Sequence, residues 1–299
     1  MPFFNYFVMQ IGLFGKRYDD AYSHHLQLLV ETLEDRGVGI VVPESYYSII
    51  APYIHFGVQP RIVSGEILQP SDIDCLFSIG GDGTLLAAVR LVAESDIPVL
   101  GLNFGHLGFL TTANPADIQG FVALFLQQQY TIETHSLMHV EVVQGDTIDH
   151  SYVMNEVAIN RHNNSSLLYT NVYINDEILA TYNGDGLIVA TPTGSTAYSL
   201  SCGGPVLAPS SKCFVITPVA VHNLTLRPIV VPDTSIIRLV TVNAAEMYLG
   251  RDSNSQLMSS QCEIILTKER FSAKLVRMKN KSFYSAIREK LMWGASYNS

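Results

Sequence analysis

The chain has 299 residues, 47% of them hydrophobic and 15% charged, which suits one large or two ordinary domains with well-filled cores. Its formal net charge of −9 gives no broad basic face for a polynucleotide backbone, which excludes a nucleic acid polymer as an expected partner. No apolar run reaches the roughly 18 residues of a membrane span, and Cys75, Cys202, Cys213 and Cys262 form neither a C-x-x-C pair nor a zinc-ligand spacing with histidine, so reduced structural thiols in a cytoplasmic protein are expected.

The N-terminal "FVMQIGLFG" reads as a buried first strand rather than a signal peptide, because its charges follow the apolar part. Tyr22, Leu26, Leu29, Val30 and Leu33 recur at helical spacing over 21–36, and Gly37 is placed to stop that helix. "VGIVV", "IDCLFSI" and "IPVLGL" are aliphatic runs of the kind buried on both faces of a parallel sheet. Asn114 and Pro115 have the cap-then-proline pattern of a further helix start. The pattern then changes to short β-rich segments, among them "MHVEVV", "EVAIN", "TNVYI", "LIVAT", "CFVITPVA", "SIIRLVTV", "CEIILTK" and "AKLVRM". Phe283, Ile287 and Leu291 mark a closing amphipathic helix with Ser282 as its cap, able to return to the first domain. The expected fold is an α/β N-terminal domain with a parallel sheet, 1–113 joined by 281–299, and a mostly antiparallel all-β domain, 114–280.

Between "IDCLFSI" and a helix carrying Leu85, Leu86, Val89 and Val92 lies the turn Gly80-Gly81-Asp82-Gly83-Thr84. Glycines there allow positive φ and close backbone approach, and the helix N-terminus that follows favours an anion, so Gly80, Gly81, Gly83 and Thr84 are candidates for binding donor phosphate. Asp82 has two readings. It is a cap or near-cap, in competition with Thr84, or it is a base beside phosphates that takes the proton of an attacking hydroxyl. Lys16 and Arg17 in "GLFGKR" have two readings as well, a phosphate contact or a solvated loop.

The "GGDGT" of 80–84 resembles the motif shared by NAD kinases, diacylglycerol and sphingosine kinases and, with variations, phosphofructokinases. "DGLIVATPTGSTAYSLSCGGP", 185–205, closely resembles the signature of NAD kinases. "GLNFGHLGFLTT" at 101–112, Asn155-Glu156, "VHNLTLRPIV" at 221–230 and the closing "SFYSAIREKLMWG" are similar to further segments of that family in the same order. The resemblance implies phosphoryl transfer from ATP, or another polyphosphate donor, to the 2′-hydroxyl of the adenosine ribose of NAD. It gives Asp82 as general base, and Asp82, Gly83, Asn155, Glu156, Asp185, Thr196, Ala197, Tyr198, Ser199, Leu200, Ser201 and His222 as NAD contacts. Mg²⁺ or another divalent cation and a homo-oligomer, dimer or tetramer, are also implied. Thr193, Ser195, Thr196, Ser199 and Ser201 offer neutral hydrogen bonds to such a ligand, and Tyr198 an aromatic face. The chain departs from the family at 252–254, "DSN" for the usual Asp-Gly-Gln, and at His135, where arginine is usual and where the change bears on contacts between subunits. Asn183 stands at a position that varies among relatives and bears on the choice of oxidised or reduced dinucleotide. A lipid kinase sharing the glycine motif and a catalytically silent dinucleotide sensor are the alternatives. The first lacks a basic amphipathic helix, and the second sits poorly with an intact Asp82.

Overall fold

The computed structural model describes residues 9–65, 67–105, 108–111, 117–162, 167–242, 246–258, 262–279 and 282–294. The chain divides into two compact units, Met1–Thr134 with Ala273–Ser299, and His135–Ser272. Among the described residues no helix is long and apolar enough to cross a membrane.

The first unit alternates strand and helix: β1 Gln10–Phe14, α1 Ser23–Asp35, β2 Gly39–Pro43, α2 Glu44–Ile50, β3 Arg61–Val63, β4 Cys75–Ile79, α3 Asp82–Val92, β5 Val99–Leu102 and α4 Ile118–Leu126. The strands are parallel in the order β5-β4-β1-β2-β3. Helices cover both faces of such a sheet, which explains the unbroken burial of β4 and β5 and their aliphatic sequences. Chain direction across the sheet reverses between β1 and β4, the place where an open α/β sheet forms a crevice beyond its strand ends. The α1 helix buries Leu26, Leu29, Val30 and Leu33 and stops at Gly37, which takes φ +69°. Asn114 and Pro115 lie outside the described residues; α4 as described begins at Ile118, with the Asp117 carboxylate accepting the Gly120 N–H at 2.8 Å.

The second unit holds most of the β structure: β6 Tyr130–Gln144, β7 Thr147–Val153, β8 Glu156–Arg161, β9 Leu168–Ile174, β10 Glu177–Gly184, β11 Gly186–Ala190, the short α5 Tyr198–Ser201, β12 Cys213–Val219, β13 Ile229–Pro232, β14 Ile237–Thr241, β15 Met247–Arg251, β16 Asn254–Met258 and β17 Glu263–Met278. One antiparallel sheet runs β13-β12-β11-β8-β15-β16. In the other, β10, β9, β14 and the first part of β17 are antiparallel neighbours, and β6 pairs β17 and β7. Alternate residues of both sheets meet in one core, with Val157, Ile159, Leu187, Val189, Phe214 and Ile216 packed in the same cluster as Met138, Val140, Val172, Leu239 and Ile264. The opposite face of β11 is also covered, because Ile188 and Ala190 pack with Cys202 and Leu207. This two-sided burial explains why "GLIVA" reads as a continuous apolar run. "CEIILTK" and "AKLVRM", expected as two strands, form the single strand β17, since no Gly, Pro, Asn or Asp interrupts 263–278 to turn the chain.

The final helix, α6 Phe283–Leu291, belongs to the first unit. Ser282 and Ser285 form a reciprocal capping box at its start, and Lys290 Nζ lies 4.9 Å from the centre of the Phe109 ring.

Candidate active site

In the first unit the chain leaves β4 through Gly80. Its φ is +141°, and Thr84 Oγ1 lies only 2.6 Å from where a Cβ would stand, so there is no place for a side chain. Gly81, not Asp82 or Thr84, is the N-cap of α3, and it makes no side-chain cap. Within the turn, positive φ is confined to Gly80; Gly81 is extended and Gly83 has no neighbouring atom within 4 Å of an added Cβ. The glycines at 81 and 83 therefore keep space open rather than satisfy the backbone.

Asp82 is the first residue of α3, and its carboxylate turns away from the cap position to collect backbone N–H groups of another loop. Oδ2 accepts from Phe109 at 2.8 Å, and Oδ1 accepts from Leu110 and Thr111 at 3.2 Å each. Thr111 Oγ1 in turn accepts the Gly108 N–H at 2.8 Å. A carboxylate offers about four acceptor positions, and among the described residues three are used. Beyond the ends of β1 and β4 lies a cavity of about 300 Å³, lined by Lys16, Arg17, Tyr18, Asp19 and Tyr22 from the β1 side and by Gly80, Gly81, Thr84 and Asn103 from the other. Lys16 and Arg17 thus border the same space as the glycine turn, a placement their sequence left open. Tyr18 stacks on Tyr53 with ring centres 4.1 Å apart, an aromatic wall that the sequence did not announce.

In the second unit Asn155 and Glu156 are both 9% exposed. Among the described residues, Asn155 Oδ1 and Glu156 Oε2 are buried without a hydrogen-bond partner. Burial pushes the Glu156 carboxyl up to about 8; the nearby Asp252 charge adds to this, and a hydrogen bond from the Tyr198 backbone opposes it. The strand start is fixed by Asp252, whose carboxylate accepts the N–H of Met154 at 3.0 Å, Asn155 at 2.7 Å and Glu156 at 3.2 Å. Asp252 takes φ +52° in the two-residue turn between β15 and β16, a conformation aspartate tolerates. The "DSN" departure therefore retains, at Asp252, a residue that holds the Asn155-Glu156 pair.

The serine- and threonine-rich stretch passes close by, and Gly194 is needed because a Cβ there would fall 2.1 Å from the Asn155 carbonyl oxygen. Most of its hydroxyls hold the stretch itself together. Ser195 Oγ donates to the Pro192 carbonyl at 2.6 Å, Ser199 Oγ bonds Thr217 Oγ1 at 2.8 Å, and Thr196 Oγ1 donates to the Thr193 carbonyl at 3.2 Å. Thr193 Oγ1 sits 2.9 Å from Nδ1 of His135, which is fully buried, so His135 bears on internal packing and not on an exposed surface. Tyr198 is 37% exposed, and its hydroxyl donates to Asn160 Oδ1 at 3.2 Å. Ala197 and Leu200 are half-buried, and Ser201 is exposed at the end of α5. Asp185 pairs with Arg161 at 3.0 Å, and the exposed His222 donates its backbone N–H to Asn183 at 3.0 Å. Glu156, Tyr198 and Asp185 are electrostatically coupled, since the charges of Asp185 and Glu156 both raise the Tyr198 phenol after burial and Cys202 have done so.

Two family models cover these regions, the ATP-NAD kinase N-terminal domain over residues 11–130 and the ATP-NAD kinase C-terminal domain over 154–278. An NAD kinase of Flavobacterium psychrophilum is 37% identical, the match covering 96% of this chain and 98% of the relative. The chain belongs to the NAD kinase family. An NAD kinase of Porphyromonas gingivalis is 36% identical over 96% of this chain and 99% of its own. The fold is shared with a yeast NADH kinase solved with NADH, at TM-score 0.85 and 23% identity over 97% of this chain and 89% of that one. It is also shared with an NAD kinase from Archaeoglobus fulgidus solved with ATP, at TM-score 0.68 and 22% identity over 95% and 99%. Within the family frame, the glycine turn with Asp82 lies in the N-terminal domain match, and Asn155, Glu156, the 185–205 stretch and Asp252 lie in the C-terminal one. Asp252 and Tyr18 are the residues whose roles sequence reasoning missed. An aspartate in a short hairpin turn is ordinary, and only its carboxylate contacts across 96 to 98 positions set it apart.

Proposed function

We infer that the protein is an NAD kinase, transferring the terminal phosphoryl group of ATP to the 2′-hydroxyl of the adenosine ribose of NAD to give NADP and ADP. The observation that carries this reading is the pair of buried acceptors Asn155 Oδ1 and Glu156 Oε2, left without a donor among the described residues. A buried unpartnered oxygen is costly, and two on consecutive residues suit a ligand that brings hydroxyl donors, as a ribose does. The curated relatives above, named NAD kinases and matched nearly end to end, support the same reading.

The roles follow from the chemistry of each part. Asn155 and Glu156 hold the ribose hydroxyls, and Asp185, Thr196, Ala197, Tyr198, Ser199, Leu200 and Ser201 line the dinucleotide, Ser199 through its backbone because its hydroxyl is committed to Thr217. His222 is an outer contact. Asp82 accepts the 2′-hydroxyl proton as attack proceeds, and the three N–H groups that bind the carboxylate keep it oriented. The donor phosphates lie over Gly80, Gly81, Gly83 and Thr84 at the N-terminus of α3, with Lys16 and Arg17 as cationic partners. A loose phosphoryl-transfer transition state spreads charge over the oxygens and asks mainly for this positioning.

Mg²⁺ binds through one or two carboxylates together with substrate phosphates, so a dedicated protein cage is not required. Asp19 lines the cavity and fits that need, its Oδ1 already oriented by the Ala21 N–H at 3.1 Å. When bound, the cation offsets the charge of the donor phosphates. The family resemblance further supports a homo-oligomer, and the composition supports a cytoplasmic location. Incubating the purified protein with Mg²⁺-ATP and NAD, and detecting NADP with an NADP-specific dehydrogenase, tests the reaction. Dinucleotide binding without NADP formation from any phosphate donor would sink it in favour of a silent sensor.

A further inference from the structure

Away from the residues assigned above, the outer face of the β6-β7 hairpin carries a second constellation. Met138, Val140 and Val142 point into the core, so alternation sends His139 and Glu141 to the opposite face of β6. On β7, His150 stands directly across from Glu141, and Tyr152 across from His139. Ligand atoms of His139, Glu141 and His150 lie within 4.8 Å of one another. His139 Nε2 and His150 Nδ1 are 3.3 Å apart, and Glu141 Oε2 is 3.8 Å from the same His150 nitrogen.

We propose that His139, Glu141 and His150 form a binding site for a divalent transition-metal ion of the zinc class, oriented by Glu269.

The spacing fits that ion. Two nitrogens on a tetrahedral zinc, each bonded at about 2.0–2.1 Å, stand roughly 3.4 Å apart. The observed imidazole separation is already that edge, and the carboxylate, with its oxygen within 4.8 Å of both imidazole nitrogens, closes on the ion by a side-chain rotation. The protonation pattern also fits. His139 Nδ1 lies 3.0 Å from Glu269 Oε2, and a carboxylate can only accept, so the ring proton sits on Nδ1 and the Nε2 lone pair faces the cluster. Glu269 is itself fixed, its side chain 9% exposed and its Oε1 accepting the Arg270 N–H at 2.8 Å. A buried carboxylate behind a ligating histidine is the usual outer support of a metal site. Two imidazoles and one carboxylate suit Zn²⁺, Co²⁺ or Ni²⁺ better than Mg²⁺ or Ca²⁺, which prefer oxygen. The exposure of His150, 57% at the side chain, leaves a fourth position to water.

Such an ion ties β6 and β7 together and stabilises the folded chain by mass action. The competing account is a simple relay in which His150 donates to His139 and His139 to Glu269. Full-length protein stripped with a chelator and titrated with Zn²⁺ against a chromophoric chelator decides between them, with Co²⁺ absorption reporting the coordination. The expected result is one Zn²⁺ per chain, unaffected by excess Mg²⁺, with a melting midpoint that rises on Zn²⁺ addition. In the His139→Ala/His150→Ala variant both the binding and the midpoint shift are lost, and Glu269→Gln weakens binding about 10- to 100-fold. NADP formation without added Zn²⁺ serves as the folding control for each variant, since none of these residues is placed in the catalytic machinery. Absence of stoichiometric Zn²⁺ binding, or affinity unchanged in the double histidine variant, overturns the proposal in favour of the relay.

Discussion

Asp82 and Asp252 do similar structural work in the two units. Each carboxylate gathers the backbone N–H groups of three consecutive residues from a remote segment, 109–111 for Asp82 and 154–156 for Asp252. Their settings differ. Asp82 opens a helix beside a glycine turn and a cavity bordered by cations, whereas Asp252 occupies a hairpin turn behind a buried carboxyl. The same set of hydrogen bonds therefore serves two ends. Under the proposed function, the set at Asp82 orients the group that takes the substrate proton, and the set at Asp252 holds the two residues assigned to the ribose.

One substitution made at both places separates these roles. Asp82→Asn removes the proposed base while keeping an acceptor oxygen for the loop. It is expected to lower kcat about a hundred- to ten-thousand-fold with the KM for NAD changed only a few-fold, as measured by coupled NADP assay. Asp252→Asn is expected to raise the KM for NAD by an order of magnitude and cost about 1–2 kcal/mol of stability, with kcat much less affected. Near-normal turnover in Asp82→Asn would remove its assignment as base. A kcat collapse in Asp252→Asn with KM unchanged would show that the comparison has been drawn the wrong way round.

How much of this was legible in the sequence depends on whether a signal is local. The parallel strands of the first unit, α1 with its Gly37 stop and the Ser282 cap of α6 carry local patterns and are found where those patterns lie. The α2 helix left little trace, because its seven residues bury only Tyr46 and Ile50. The exposed β7 alternates too weakly to read as a strand without its partner β6. At the site, the glycine turn and the 185–205 stretch were legible as contiguous motifs. The cap reading of Asp82, the positive φ of Gly81 and Gly83, and the free hydroxyls of Ser195 and Ser199 were not sustained, since they depended on partners distant in sequence, on backbone geometry or, for Ser195, on a turn that brings its hydroxyl to the Pro192 carbonyl. The 252–254 loop was singled out, but the hold of Asp252 on residues 154–156 depends on partners distant in sequence and was not legible.

The Asp252 side of the comparison sharpens at Glu156, whose carboxyl the Asp252 charge helps to raise. Burial raises its carboxyl to about 8 from an ordinary value of 4.5. Between those values the unfolded chain has released a proton that the folded chain keeps, so stability falls as pH rises through this window. The contribution is fully present below 4.5 and lost above about 8. Glu156→Gln is expected to flatten that fall, which amounts to a few kcal/mol at most. Asp252→Asn should make it shallower, because the Asp252 charge is the second cause of the shift. Denaturant midpoints measured across the window check both, and equal slopes in wild type and Glu156→Gln would remove the buried carboxyl as their source.

The smallest effect tests what surrounds Asp82. Gly80 is demanded by the backbone, with φ +141° and Thr84 against the place of a Cβ, so Gly80→Ala is expected to destabilise the protein by about 1–2 kcal/mol. Gly83 meets no such demand. It sits in the first turn of α3 with open space around it, and alanine there is worth up to about 1 kcal/mol to a helix. On stability alone Gly83→Ala should be neutral or favourable. If the open space belongs to the donor phosphates, the same methyl group obstructs them, and the KM for ATP rises while the melting midpoint holds or climbs. An unchanged KM for ATP would leave Gly83 with neither a structural nor a binding reason, and would move the donor site away from the start of α3.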